Sequence, residues 1–530
     1  MYIRTKTFKN KNGTVRTYLY IVEGRRINGK VRQEVVANLG RLEELKRGEL
    51  DTLIKGLAKY SQKQWIEAQT CSLDPKWAKE FGPVLIFRKL WENLELDKIL
   101  KDLLSTTQIT TSMEEAIFAS VLNRLCEPLS KLGITKWKET VYRPEFEELE
   151  LQHFYRSLDF LAEHKEKIEI KLFERVKNLF NLELDLLFWD TTSTYFEGRG
   201  VENFTEYGFS KDHRPDRLQV VIGVLMTRDG TPIAHEVFPG NISDASTFRK
   251  ALSNIQNRFK INRVILVGDR GMVSKKILKE IESAGLQYLV GVKMRKLKDL
   301  ANVLSRAGRY RDVKENLKVK EVIYEGNRYI ICYNPREAEE DKLSREEIIQ
   351  KLEWKLKENG LKSLVSNRGY RKYLKINGTA TVVDRAYIEA EAKYDGKYVL
   401  TTNNTNLSPS EVALAYKGLW QVERGFREIK STLELRPVYH WTEQRIRGHI
   451  MVCFLAFVLE TTLKKKLKEI GFNDSFQNLM IDLKQLKALE ISIDGKTYLA
   501  RTDLQGKTYE AFRAIGLRPP NKILESMLSI

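Results

Sequence analysis

Apolar and polar positions change their period several times along the chain, and each change predicts an element. In the stretch LDLLFWDTTSTYFE, the apolar run Leu186, Leu187, Phe188 and Trp189 stops at Asp190 and passes into the hydroxyls Thr191, Thr192, Ser193 and Thr194. A short apolar run marks a buried strand, and a carboxylate at its end sits where the chain leaves the core. The pattern recurs in RVILVGDRG, where Val264 to Val267 precede Asp269. Two such strands bring two carboxylates to one sheet edge, or each Asp simply caps the turn or helix that follows.

Residues 1 to about 45 read as β-structure: Thr14 to Val22 alternates in part, Asn28-Gly29 is a hairpin signal, and Val31 to Leu39 follows. This stretch is rich in Lys and Arg, which suits either contact with nucleic-acid phosphates or a solvated face. Residues 46 to about 180 read as helical, with apolar residues at three- and four-residue spacing in Ser112–Cys126 and Phe154–Phe180. No catalytic constellation lies there; a packing domain and a DNA-contacting one both fit. From 184 the pattern is α/β. After the Asp190 strand come Leu218–Met226, the turn Asp229-Gly230 and Pro232–Phe238, then a helix to Phe259, the Asp269 strand, a helix over Ser274–Ala284 and a strand at Tyr288–Val292. Three meandering strands followed by helix, strand, helix and strand match a ribonuclease-H-like core. Two further hairpins, turning at Gly326-Asn327 and Asn377-Gly378, and the charged helix Ser344–Glu358 predict a mainly β insertion; Lys397–Thr402 resumes the core.

Composition narrows the class. The 530 residues, 42% hydrophobic, suffice for several folded domains. Ninety Lys and Arg against 71 Asp and Glu give a net charge of +19, which favours a polyanionic partner. Cys71, Cys126, Cys332 and Cys453 are far apart, which argues against a zinc site or a disulfide framework. The N-terminus lacks the apolar stretch of a signal peptide, and the apolar run Ile450–Leu459 is too short for a bilayer. The expectation is a soluble, cytoplasmic, nucleoid-associated protein with no membrane partner.

A third carboxylate follows. Ser408-Pro409-Ser410-Glu411 is a capping box that opens a helix predicted to run to about Leu435. Leu419, Val422, Phe426, Ile429 and Leu433 form its apolar stripe. Tyr416, Glu423 and Lys430 lie seven apart on an adjoining face, where Glu423 is either a functional acid or the salt-bridge partner of Arg427.

Taken together, Asp190-Thr191-Thr192, Asp269-Arg270 and the Tyr416, Glu423, Lys430 spacing resemble the DDE transposases of bacterial insertion sequences, in the group with a Tyr-Arg-Glu-Lys signature. The Arg position of that signature is Leu419 here, which leaves Arg424 or Arg427 to supply its contact. LYIVEGRRINGKVRQEVVANLGRL and RPVYHW look like the long, insertion-bearing members. The resemblance implies an α/β fold: a ribonuclease-H-like (retroviral-integrase-like) catalytic core, residues 181–295 and 396–465, interrupted by a mainly β insertion at 296–395. It is preceded by an N-terminal β-rich basic module (1–70) and a helical domain (71–180), and followed by a C-terminal region (466–530) that could mediate oligomerisation.

It further implies that Asp190, Asp269 and Glu423 are the catalytic residues and hold two Mg²⁺ or Mn²⁺ ions. Tyr416 and Lys430 would contact DNA phosphate, with Arg270, Arg427 and Trp441 as further DNA contacts. The partners would be double-stranded DNA, both terminal inverted repeats and target, and a second copy of the chain in a synaptic homodimer. A repressor of transposase descent and a ribonuclease-H-like nuclease without joining activity are the alternatives. His440, between Tyr439 and Trp441, either packs in the core or stacks on a displaced base; the other histidines show no ligand spacing.

Overall fold

The computed structural model describes residues 1–530 except 28–29, 46–48, 59, 61–72, 108–111, 181–185, 260–264, 270–273, 295–299, 358–370, 378–379, 432, 436–437, 494–495 and 528–530. The chain forms two compact units, the smaller mainly Met1–Asp74 and the larger mainly Pro75–Ile491 with Tyr498–Met527.

In the smaller unit β1 (Tyr2–Lys9), β2 (Val15–Ile27) and β3 (Lys30–Arg41) make an antiparallel sheet in the order β1-β2-β3; β2 and β3 are the two strands read from the sequence, and β1 adds a third to that β-structure. The Asn28-Gly29 turn lies outside the described residues. Leu19 and Val22 are buried, and Phe8 meets Tyr18 edge-on. Helix Glu49–Ala58 follows.

The larger unit begins with β4 (Leu73–Glu80) and a set of helices that includes Met113–Cys126 and the long Leu151–Phe180. Its sheet strands are β5 (Leu186–Tyr195), β6 (Gln219–Thr227), β7 (Pro232–Pro239), β8 (Ile265–Gly268), β9 (Gln287–Gly291), β10 (Arg311–Lys314), β11 (Leu317–Tyr324) and β12 (Asn327–Tyr333). A separate hairpin, β13 (Leu374–Asn377) with β14 (Ala380–Val383), precedes β15 (Lys397–Thr402).

One nine-stranded sheet has the order β10-β11-β12-β15-β9-β8-β5-β6-β7. Strands β5, β6 and β7 meander antiparallel, while β8 and β9 run parallel to β5. This is the strand succession read from the sequence. Two expectations are corrected here. Strands β10 to β12 do not build a separate insertion: they extend the main sheet, because β12 pairs with β15 from Arg328↔Thr402 to Tyr333↔Lys397. The charged helix is also longer than predicted, Pro335–Lys357, so the block 296–395 is mixed rather than mainly β.

Nor do the helices of 71–180 stand apart. Phe87, Phe118 and Leu161 share one apolar core with Phe188 and Val224 of the sheet and Phe454 of helix Glu443–Glu469. That last helix has 27 residues, more than the Ile450–Leu459 run suggested, and its length and composition would suit a membrane span. Yet 89% of its apolar window is buried inside the protein, so it is the spine of the core. It crosses Leu151–Phe180 at Gly448, where a Cβ would stand 2.1 Å from the Leu158 carbonyl oxygen. Beyond it, β16 (Lys487–Ile493), β17 (Lys496–Arg501) and β18 (Ile523–Met527) join β4 in the order β18-β17-β16-β4.

Candidate active site

Alternation along β5 decides where Asp190 points. Phe188 packs into the helical core with Val224, whereas Leu187 and Trp189 pack on the opposite face with Leu225 and Leu266. Asp190 shares parity with Phe188 and therefore faces the helical layer. In β8 the same logic holds: Ile265 and Val267 belong to the helical core, so Asp269, two residues on, is directed the same way. The parallel register pairs Trp189 with Gly268, which sets Asp190 and Asp269 side by side on adjacent strands. Asp269 ends its strand as predicted. Asp190 does not: β5 runs on to Tyr195, and Thr191, Thr192, Ser193 and Thr194 are buried strand residues rather than a turn.

The third acid comes from above the sheet. Ser408 caps helix Pro409–Lys417 in a complete capping box with Glu411, as the sequence predicts. The helix does not continue unbroken to Leu435. It tightens at Gly418 and Leu419 through three-residue hydrogen bonds, Gly418 N to Ala415 O and Leu419 N to Tyr416 O, and resumes as Trp420–Ser431. Gly418 allows this close passage over the sheet, since a Cβ there would stand 2.8 Å from Phe188 Cζ. The stripe Leu419, Val422, Phe426, Ile429 and Leu433 is buried as expected, and Gly425 lets the second helix settle onto Phe457. Glu423, on the adjoining face, is exposed. Of the two alternatives for Glu423, the salt bridge to Arg427 is not formed: among the described residues the ion pair within this helix is Arg424 with Glu428, 3.2 Å, and Glu428 also takes Lys464 at 2.7 Å.

Electrostatics ties the three acids together. The Asp190 side chain is 13% exposed, and burial pushes its carboxyl up to about 6. Lys211 and the Thr191 N–H, which donates to Asp190 Oδ1 at 2.7 Å, pull it down, while Asp269 and Glu423 both push it further up. Asp190 thus feels the charge of both other acids. The three are not gathered into ready ligand geometry: among the described residues no three Asp, Glu, His or Cys side chains are arranged to hold a metal ion. Like charges repel one another. The donor set, oxygen only and strongly anionic, fits a hard divalent ion such as Mg²⁺ or Mn²⁺.

The other expected residues divide. Tyr416 Oη donates to Asp269 Oδ1 at 3.3 Å, which places it inside the acid cluster. Lys430 Nζ is bound to Asp212 Oδ1 at 2.6 Å, with side chains 11% and 3% exposed. Arg427 is exposed on the Glu423 helix. Trp441 is 76% exposed just before helix Glu443–Glu469, and no described contact joins it to the acids. Arg270 lies outside the described residues. His440 stands edge-on to Tyr155 and 5.1 Å from the His449 ring; burial, with Lys131, Arg124 and Arg445, lowers its imidazole to about 3, which fits the packing role.

Sequence reasoning missed Lys211 and Asp212. They sit in the long β5–β6 connection, GFSKDHRPD, and its run of charges was the one signal available.

A family model described as "Transposase DDE domain" matches residues 185–459, more than half of the chain and the whole stretch that carries the three acids. The chain belongs to the DDE transposases. A second model, "IS1634 family transposase, N-terminal domain", matches residues 3–70, the stretch that holds the small three-stranded sheet. No curated protein matches the chain. Among solved structures, the cryo-EM structure of the piggyBac transposase synaptic complex with hairpin DNA is similar at 12% identity, over 76% of this chain and 79% of that one, with a TM-score of 0.39. For this DDE transposase, then, the family match and the three acids fall on the same core.

Proposed function

We propose that this transposase binds the terminal repeats of an insertion sequence, cuts the element ends and joins them to target DNA, with Asp190, Asp269 and Glu423 as its catalytic acids. The observation that carries the reading is the raised Asp190 carboxyl, to which both Asp269 and Glu423 contribute from elements 79 and 233 residues further along the chain. A protein that only binds DNA has no use for such a cluster, since anionic side chains repel phosphate. The strand succession β7-β6-β5-β8-β9 supports a ribonuclease-H-like catalytic core, with Glu423 delivered by a later helix.

Two divalent ions held by these carboxylates would supply activation of a nucleophilic oxygen and neutralisation of the leaving oxygen in an in-line phosphodiester displacement. The chain's own residues do the rest. Asp190 and Asp269, fixed on adjacent strands, form the rigid side of the site, and Glu423 on its exposed helix face closes it. Tyr416, through its bond to Asp269, holds that carboxylate in place. Lys430 and Arg427 offer cationic contacts to the phosphates that flank the scissile bond, which position DNA without reading sequence. Two element ends must meet, so the acting form is a homodimer or larger assembly. The basic small unit is suited to holding the repeat, and the site of action is the cytoplasmic nucleoid.

The deciding experiment is Glu423→Gln, which keeps size and helix propensity. Cleavage and joining of a labelled end duplex in Mg²⁺ should be lost, with end binding kept or slightly strengthened. Near-normal cleavage by the pure variant would reject the assignment of Glu423. Wild-type protein that cuts but yields no strand-transfer product would make it a nuclease, and one that binds without cutting would make it a repressor.

A further inference from the structure

The β5–β6 connection folds back over β5 and sets two consecutive, oppositely charged residues against the catalytic elements. Lys211 is fixed at both ends. Its backbone N–H donates to Ser193 Oγ at 2.8 Å, and its Nζ donates to Thr191 O at 2.6 Å and Thr191 Oγ1 at 3.0 Å. This leaves Nζ 3.7 Å from Asp190 Oδ1. One residue on, Asp212 takes Lys430 Nζ at 2.6 Å, and Lys430 lies two helical turns beyond Glu423 on the same helix. A two-residue stretch therefore touches the first acid on one side and, on the other, the helix that brings the third.

We propose that Lys211 and Asp212 form a clasp that couples cation binding at the acids to the presentation of Lys430. The proposal rests on the reading that Asp190 holds a divalent cation. A cation on Asp190 Oδ1 and the Lys211 ammonium are like charges at contact distance, so binding the one expels the other. Lys211 can leave, because its other partners are neutral oxygens and its side chain is 33% exposed. Asp212 is the next residue, so the shift loosens its hold on Lys430, and the freed ammonium can meet a DNA phosphate. Coupling of this kind is reciprocal: phosphate that draws Lys430 away from Asp212 favours departure of Lys211 and tightens cation binding. Cutting is thereby confined to protein that holds both cation and DNA.

The test uses the full chain and reads binding, not turnover. Mn²⁺ affinity is measured without DNA by calorimetry for wild type, Lys211→Met and Lys211→Arg. The Met variant should bind about tenfold more tightly, equivalent to about 1.4 kcal/mol, and the Arg variant should match wild type. Should the Met variant not fold, Lys211→Gln, which keeps a donor for Thr191 O, takes its place with the same expectation. In parallel, binding of an end duplex is followed in EDTA as salt is raised. Asp212→Asn should bind more tightly than wild type, with a log–log salt slope steeper by about one, the mark of one added phosphate contact. In Ca²⁺ the duplex should tighten cation binding by wild type and leave that of Asp212→Asn unchanged. If wild type and Lys211→Met bind Mn²⁺ equally well, or if Asp212→Asn has the wild-type salt slope, the clasp is overturned while the catalytic reading stands. Wild type that binds no Mn²⁺, like an Asp190→Asn control, would overturn the metal reading and the clasp together.

Discussion

Replacement of Asp190 by Asn should stabilise the fold near neutral pH while abolishing the chemistry. The carboxyl is raised from an ordinary 3.8 to about 6, by burial first and by Asp269 and Glu423 in addition. Below about pH 4 it is protonated in both folded and unfolded chains and carries no penalty. Between about 4 and 6 the unfolded chain gives up the proton and the folded chain keeps it, so stability falls as pH rises. Above about 6 the penalty is complete: a gap of roughly two units is worth about 3 kcal/mol. Asn is neutral like the protonated carboxyl and still accepts the Thr191 N–H, and the attraction to Lys211 is already contained in the value of about 6, so the net gain is about 3 kcal/mol. The unfolding entropy is about 2.1 cal/mol/K per residue, roughly 1 kcal/mol/K for a unit of about 450 residues, so Tm should rise by about 3 °C. The assay is a thermal scan of both proteins in EDTA from pH 4 to pH 8, repeated with Mn²⁺. Only the wild type should gain from the metal, by about 2.7 kcal/mol at a hundredfold excess over Kd. An Asn variant no more stable than wild type at pH 7.5, or equally advantaged at pH 4, would refute the reasoning.

Three further outcomes follow from other parts of the molecule. Gly448→Ala should destabilise by about 1–3 kcal/mol or more, because the atom in the way is the backbone oxygen of Leu158 and cannot rotate aside; urea unfolding measures it. Lys131→Met should stabilise by a few kcal/mol at pH 7, since burial lowers the Lys131 amine to about 7 and its Nζ has no hydrogen-bond partner among the described residues. The unfolded chain keeps that proton up to about 10.5, so wild-type stability rises from pH 7 to that value and the advantage of the Met variant shrinks over the same window. Affinity for end duplex should fall steeply and log-linearly with salt, by about 0.9 per phosphate neutralised. Lys430→Ala should flatten that slope by about one in the presence of Ca²⁺; a fall independent of salt would contradict a phosphate role.

What the sequence determined by itself was set by short-range physics. Ser408 and Glu411 cap a helix because the two side chains satisfy backbone groups within one turn. The strand succession from β5 to β9 was legible because β5, β6, β8 and β9 each carry a short apolar run and β7 follows the Asp229-Gly230 hairpin turn. The apolar stripe from Leu419 to Leu433 was legible because helical period alone places it on one face, and all five residues are buried. Asp190 and Asp269 stood out because a carboxylate that interrupts an apolar run is conspicuous without any partner in view.

What only the tertiary structure decided depended on residues distant in sequence. β5 continues past Asp190 because β6 pairs with it as far as Tyr195↔Gln219, so four hydroxyl residues of turn-like composition are drawn into the sheet. The Tyr416 and Glu423 helices are separated by a tightened turn because Phe188 lies beneath Gly418. β10 to β12 join the nine-stranded sheet because β15, at the far end of that block, offers an edge to β12. Lys430 meets Asp212 across 218 residues, and Lys211 meets Thr191 across 20. Charge pairing has no period and no local signature, so a sequence can show that Lys430 is present and on which helix face it lies, while only the fold chooses its partner.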